Sequence, residues 1–245
     1  MDKMTDIKAK IAEFKKRIVK PVSQLVVEIP HSPGWSVLHR DKVGSWLGRV
    51  YLYREDEGLP LDDDNEEMYP LAQINVEQLP YVPEVLQGTK YLTLFFIDDF
   101  KFGEGIDPIY NSPTENGHGW LIREYTADDK LVVKDFDKNT ADQWWFTSPS
   151  LRALPVMESY PDRFDSCCDN IDFSDEEWEI YETETSDGFF LGDLQVGGYA
   201  LSLQDILYFD PGYEFVIQIT EFCGGRLYLA KNGRSGEWQI YYNAD

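Results

Sequence analysis

Residues 214–242 read EFVIQITEFCGGRLYLAKNGRSGEWQIYY. Three runs rich in β-branched and aromatic residues, Glu214–Thr220, Arg226–Ala230 and Trp238–Tyr242, are separated by Gly, Asn and Ser. Such runs suit a pleated, half-buried surface, and Asn232-Gly233 between two aromatic runs is a strong signal for a tight hairpin. This end of the chain therefore reads as antiparallel β.

The same texture extends backwards. Gln24–Ile29, Arg49–Tyr53, Tyr91–Ile97, Trp120–Tyr125 and Leu131–Lys134 are further strand candidates, with a tight connection at Asp128-Asp129. One confident helix precedes them: Ile7, Ile11, Phe14 and Ile18 fall on one face of residues 5–20, Thr5 or Asp6 is available as an N-cap, and Pro21 ends it. Ser174–Glu182 reads as a second helix, with Ser174 as N-cap and Glu177 in the capping-box position; Val76–Leu79 reads as a short turn and Ser202–Leu207 as a further short helix. Segments 55–69 and 99–119 read as long loops. The fold class is α+β, mostly antiparallel β, with an N-terminal amphipathic helix over 1–21 and the remaining unit over 22–245.

Charge is the other strong signal. The chain has 245 residues, 42% of them hydrophobic, and a net charge of −23, so it holds a sizeable core yet lacks the clustered bases that phosphate binding needs. Nucleic acid and anionic membrane are excluded as direct ligands for most of the surface. Between Glu158 and Asp187 twelve residues are acidic and Arg163 is the only base. A second block holds Glu55, Asp56, Glu57, Asp62, Asp63, Asp64, Glu66 and Glu67. Residues 1–20 carry seven bases and three acids, so the first helix is expected to lay its apolar stripe on the protein's own core and turn its lysines toward the acidic surface. No apolar run reaches the length that spans a bilayer, and MDKMTDIKAK lacks the apolar centre of a signal peptide, so a cytoplasmic protein is expected. Cys167, Cys168 and Cys223 are a poor disulfide framework and read as reduced thiols.

Asp62, Asp64 and Glu66 alternate like calcium ligands, but Glu67 stands where the loop needs Gly and the bidentate position holds Gln73 or Leu71. His31, His39 and His118 have no thiolate pair at zinc spacing, and no nucleophile elbow or phosphate loop occurs. His118, flanked by glycines, is the best single general-base candidate, although its surroundings read as a plain loop. Trp144-Trp145-Phe146 cannot all point into one core from a strand, which leaves one aromatic for an outer surface or a covering loop. No cofactor or metal is expected, and the chain reads as non-enzymatic.

Two stretches share an order of features. Lys42-Val43-Gly44-Ser45-Trp46 leads to Leu71-Ala72-Gln73-Ile74-Asn75; later, Val196-Gly197-Gly198-Tyr199 leads to Val216-Ile217-Gln218-Ile219-Thr220. This is an ordered internal echo, with repeats over about 22–135 and 136–245. With Leu79-Pro80, Leu94-Phe95-Phe96, Gln204 and Tyr241-Tyr242-Asn243-Ala244-Asp245, the pattern resembles the YwqG-like family, bacterial proteins of unknown function. Where that family carries a double glycine, this chain has Gly44-Ser45. The resemblance implies a duplicated, largely antiparallel α+β fold and brings no catalytic residues. Because some relatives are encoded beside secreted toxins, it also implies an immunity role.

The expectation is a cytoplasmic immunity or inhibitor protein that captures a cognate basic toxin, such as a nuclease effector. One candidate binding patch is Asp62, Asp63, Asp64, Glu66 and Glu67; the other is Asp172, Asp175, Glu176, Glu177, Trp178 and Glu179, with Trp178 as an aromatic anchor in an acidic rim. The alternative is a small-molecule or enzymatic pocket between the repeats, near Gly44, Gln73, Gly197, Gly198 and Gln218.

Overall fold

The computed structural model describes residues 3–28, 41–97, 110–139, 150–185, 192–201, 207, 209–222 and 225–244. Helix α1 spans Lys3–Ile18, with Asp6 in its first turn and Lys15, Lys16 and Arg17 in its last, the polarity that the helix dipole favours. Helix α2 spans Asp175–Thr185. Thirteen strands follow in chain order: β1 (Lys20–Val27), β2 (Ser45–Leu47), β3 (Leu52–Arg54), β4 (Tyr69–Asn75), β5 (Thr89–Phe96), β6 (Trp120–Thr126), β7 (Leu131–Val133), β8 (Ser150–Ala153), β9 (Met157–Ser159), β10 (Leu194–Gly197), β11 (Tyr213–Phe222), β12 (Gly225–Asn232) and β13 (Trp238–Ala244). Short 3-10 turns include Val76–Gln78, where Asn75 caps the turn by accepting from Glu77 N–H, as the sequence predicts for that stretch.

The sheet order is β13-β12-β11-β10-β1-β8-β2-β4-β5-β6, with β9 paired to β1 and a separate ribbon of β3 and β7. Every pairing is antiparallel. Read inward from either edge, the order meets three long strands, then a short one, then the central pair β1 and β8. That pair is exchanged along the chain: β1, which precedes the first set, pairs with β10 of the second through Val22↔Gly197 to Leu25↔Leu194, whereas β8, which precedes the second set, pairs with β2 through Ser45↔Leu151. A linear boundary near residue 135 therefore does not separate two independent pairing units.

The sheet curls into a nearly closed, barrel-like form. Its two ends meet through Glu124 of β6, whose carboxylate accepts from Lys231 Nζ at 2.7 Å and from Trp238 Nε1 at 2.8 Å, on β12 and β13. Thr89 Oγ1 donates to the same carboxylate at 2.9 Å, and Lys231 Nζ also reaches Val85 O. Along the free edge of β13, Ile240 N–H donates to Pro113 O, which satisfies one edge amide. Inside lies one apolar core fed by alternating residues: Leu92, Leu94 and Phe96; Trp120 and Ile122; Ile217 and Ile219; Leu227 and Leu229; Trp238, Ile240 and Tyr242.

A second, smaller core lies under α1. Ile7, Ile11 and Phe14 are buried against Cys168, Tyr181, Phe173 and Trp178. Phe14 meets Phe173 edge-on at 5.1 Å and Trp178 at 6.2 Å, an arrangement that aromatic quadrupoles favour. The expected docking of α1 on its own chain is what the structure shows. Tyr199 Oη donates to Ile18 O at 2.6 Å and ties the end of α1 to the turn after β10. Among the described residues no helix is long and apolar enough to cross a membrane.

Glu124 is the acceptor on which the seam turns. Glu124→Gln leaves the largely buried Lys231 ammonium without its counter-charge and is expected to cost about 2–3 kcal/mol, less than a wholly buried pair because Glu124 is 27% exposed. The double change Glu124→Leu, Lys231→Met is expected to recover most of that loss, as read from urea unfolding midpoints at constant m.

Candidate functional site

The acids of the first block divide into two kinds. Glu57 is drawn inward: its carboxylate accepts from Tyr125 Oη at 2.7 Å, receives Arg54 N–H at 2.8 Å and lies 3.3 Å from Arg54 Nη1 and 3.9 Å from Arg123 Nη1. Burial, reinforced by this carboxylate, pushes the Tyr125 phenol up to about 12. Residues 62–67 instead form a tight turn on the surface. Asp62 Oδ1 accepts from the N–H groups of Asp64 and Glu66, both at 2.9 Å, and Asp62 N–H donates to Glu66 O. Asn65 takes a left-handed φ of 64°, a conformation Asn tolerates, and Leu61 bridges Glu67. Asp62 therefore spends its carboxylate on the turn, whereas Asp63, Asp64, Glu66 and Glu67 stand exposed beside the exposed Leu61. Lys138 reaches the Glu67 carbonyl and leaves the carboxylate alone.

His118, the general-base candidate, sits at this turn. Its Nδ1 lies 2.9 Å from Asp63 Oδ2 and its Nε2 lies 3.7 Å from Glu115. The hydrogen bond to Asp63, then that carboxylate's charge, raises the imidazole pKa above its ordinary value. The carboxylates on either side of this exposed imidazole favour its protonated form, which works against a role as general base.

The second block behaves differently from the first. Ser174 and Glu177 form the capping box, Ser174 N–H donating to Glu177 at 2.7 Å. Lys10 of α1 donates to Glu177 at 2.9 Å and to Asp172 O at 2.6 Å, Lys3 pairs with Glu176 at 2.7 Å, and Lys15 lies 3.6 Å from Glu184. The Ser174 amide, then Lys10, hold the Glu177 carboxyl below its usual range. Trp178 is half-buried and rings with Phe14, Phe173 and Tyr181, so it is part of the second core rather than an anchor in an open rim. Asp172, Asp175 and Glu179 remain exposed.

The five residues of the alternative pocket do not converge. Gln73 lies on β4 and Gln218 on β11, with β2, β8, β1 and β10 between them in the sheet. Gln73 is spent within its own half: Oε1 accepts from Tyr51 and Leu52 N–H, and Nε2 donates to Lys42 O and Gly44 O. Gln218 occupies the matching place, since Trp46↔Gln73 and Gln195↔Gln218 are corresponding pairs, and its Oε1 accepts from Leu201 N–H at 2.9 Å. This alignment moves the echo by four residues: Gly48, with φ 71°, stands where Gly197, with φ 78°, stands, and Gly44 is an ordinary turn residue. Gly197 and Gly198 have a packing reason as well, because a Cβ would lie 2.8 Å from Tyr81 and 2.7 Å from Ser159 respectively.

Sequence reading did not single out Thr220, Arg226 and Tyr228. Gln218 and Thr220 on β11 and Arg226 and Tyr228 on β12 share the sheet face opposite the core residues Ile217, Ile219, Leu227 and Leu229. Arg226 Nη1 and Tyr228 Oη both donate to Leu201 O, at 2.9 and 2.8 Å. Among the described residues five buried side-chain atoms lack a hydrogen-bond partner, and three of them lie on this face: Gln218 Nε2, Thr220 Oγ1 and Arg226 Nε. Arg49 Nε and Thr93 Oγ1 are the others. Alternating polar residues in two paired strands were the available signal.

Among the described residues no three His, Cys, Asp or Glu side chains gather as a metal site. Cys167 and Cys168 are free with sulfurs 3.9 Å apart, and burial pushes both thiols up, Cys167 to about 11, which disfavours a nucleophilic thiolate. His31, His39, Trp144-Trp145-Phe146, Gln204, Cys223 and most of Ser202–Leu207 lie outside the described residues. No family model matches the chain, and no curated protein matches it. The YwqG-like resemblance thus rests on the quoted motifs alone.

Because His118 gains a partner in the folded state, the contribution of this pair is full below the ordinary 6.5 and is lost as pH rises through the raised value. An NMR titration is expected to place His118 above 6.5, and Asp63→Asn is expected to bring it back toward that value without unfolding the protein.

Proposed function

We propose that this chain is a non-enzymatic, cytoplasmic interaction protein of the immunity or inhibitor type, which captures a basic protein through the acidic turn at residues 62–67. The observation that carries the reading is the construction of that turn. Asp62 and Asn65 fix the backbone, so Asp64, Glu66 and Glu67 are presented together, in the open, beside an apolar Leu61, while Asp63 pairs with His118 at the same turn. A pre-ordered turn loses little entropy on docking, and a one-sign patch raises the encounter rate with an opposite charge.

The α2 acids serve a different purpose in this reading. Their inner members balance α1, and only Asp172, Asp175 and Glu179 extend the negative field outward. We also propose that the two strand sets are copies of one unit. The matched Gln73 and Gln218, the matched Gly48 and Gly197, and the mirror order of the sheet support that origin.

The test begins with the protein that co-purifies with this chain from its native cells, followed by association kinetics at rising salt. The on-rate is expected to fall steeply as the screening length shrinks to about 8 Å near physiological ionic strength. Reversing Asp63, Asp64 and Glu66 to lysine is expected to slow association by about tenfold or more at low salt, while reversing Asp175 and Glu179 has a smaller effect. A partner whose on-rate ignores both salt and the turn variant removes the proposal.

A further inference from the structure

The outer faces of the two strand sets are built alike but finished differently. In the first, Gln73 uses both amide hydrogens and both oxygen lone pairs, and two residues along β4 Asn75 Nδ2 donates to Val43 O at 3.0 Å and to Tyr91 Oη at 3.3 Å. Asn75 faces Tyr91 across β4 and β5 with its amide fully used, although Thr93 Oγ1, opposite Gln73, and Arg49 Nε are without partners in this half. In the second set the donors that served Gln73's role have moved: Gln195 Nε2 closes the turn by donating to Gly197 O and Tyr199 O. Gln218 keeps its acceptor bond to Leu201 but its amide nitrogen has no partner, and the residue is fully buried. Thr220 and Arg226 take the places of Asn75 and Tyr91, and the Thr220 hydroxyl and the Arg226 Nε are likewise unmet.

These three groups lie on neighbouring stretches of β11 and β12. Gln218 and Arg226 both grip the Leu201 backbone, and Thr220 follows Gln218 on the same face of β11, one strand repeat of about 7 Å away. Arg226 binds Leu201 O through Nη1, so the opposite edge of its guanidinium, the one that carries Nε, is free for a side-on fork. No carboxylate lies within ion-pair distance of Arg226 among the described residues, in a chain with a surplus of acids. Tyr228 keeps its hydroxyl on Leu201 O, so the surrounding frame is fixed independently of any ligand.

We propose that Gln218, Thr220 and Arg226 form a binding site for a carboxylate. An amide N–H, a hydroxyl and one edge of a guanidinium are a donor set, and an apolar guest leaves all of them unsatisfied. Water meets the hydrogen-bonding need but leaves the half-buried guanidinium without a counter-charge. A single carboxylate supplies acceptor lone pairs and one negative charge in the planar shape that the guanidinium fork takes up. Phosphate, with close to two charges and one arginine to meet them, fits less well. The site is separate from the acidic turn at residues 62–67 and independent of its partner.

The test uses the intact protein labelled with nitrogen-15. Sodium acetate and sodium succinate are titrated against sodium chloride at matched ionic strength, following the Gln218 side-chain amide and the Arg226 Nε–H. Saturable shifts with the carboxylates and none with chloride are expected. Arg226→Lys keeps the charge and removes the fork, and is expected to weaken binding about tenfold or more; Thr220→Val, nearly isosteric, is expected to weaken it about fivefold, the worth of one hydrogen bond. If Arg226→Lys loses its native spectrum, Thr220→Val decides. A tripeptide with a free C-terminus binding more tightly than acetate assigns the carboxylate to a polypeptide end, and succinate or acetate binding more tightly assigns it to a free acid. Equal response to chloride, absence of saturation, an amidated tripeptide binding as well as the free one, or folded variants that titrate like the unaltered protein overturn the proposal.

Discussion

A ten-strand path that curls on itself must do something with its two ends, and here a single carboxylate does it. Glu124 on one terminal strand faces Lys231 and Trp238 from the other terminal pair, so that charge, indole and the Thr89 hydroxyl converge on two oxygens. The contact is made by side chains, and no backbone pairing joins β6 to β13 among the described residues. Closing the seam also seals Trp120, Trp238 and Tyr242 within the main core. The contact works because Lys231 is itself nearly covered: its ammonium lies over the Trp238 ring, 5.4 Å from the centroid, and has Val85 O as a second acceptor.

Negative charge is distributed with more structure than the composition implies. Glu57 is the hub of an inward network with Arg54, Arg123 and Tyr125, and Glu177 serves simultaneously as a helix cap and as the partner of Lys10. These acids relieve the repulsion that a net charge of −23 imposes. Exposed acids remain at the 62–67 turn and along the outer edge of α2, and others, among them Glu77, Glu84, Asp128, Asp137, Glu158 and Glu237, are spread over the rest of the described surface. Exposed pairs such as Lys3 with Glu176 contribute little singly, so the hold of α1 on the rest comes mainly from Ile11, Phe14 and the aromatic cluster around them.

The long elements were legible because period and composition agree in them. Ile7, Ile11, Phe14 and Ile18 gave α1, the Ser174 capping box gave α2, and the aromatic runs of β5, β6, β11, β12 and β13 gave strands with ends displaced by at most two residues. The short strands β2, β8, β9 and β10 carry three or four residues each, too few to establish an alternation, and their partners are remote in sequence. The echo set Gly44 beside Gly197, because composition cannot tell a turn glycine from one in a left-handed conformation; it is Gly48 that shares the positive φ of Gly197. Trp178 illustrates the same limit. An aromatic amid acids suggests an exposed anchor, and only the position of Phe14 from a helix far away in the chain shows what covers it.

The exchange of β1 and β8 between the two strand sets has a consequence for how the chain is made. β1 precedes the other described strands along the chain, yet the neighbours that complete its hydrogen bonds are encoded roughly 124 to 175 residues later. Until they arrive, Val22, Leu25 and the amides around them have no native place to go, and the first set cannot close without β8. Folding is therefore a late, nearly all-at-once event with high contact order, and an incomplete chain stays sticky for as long as synthesis lasts. A nascent chain of this design depends on holding chaperones more than one whose halves are self-contained.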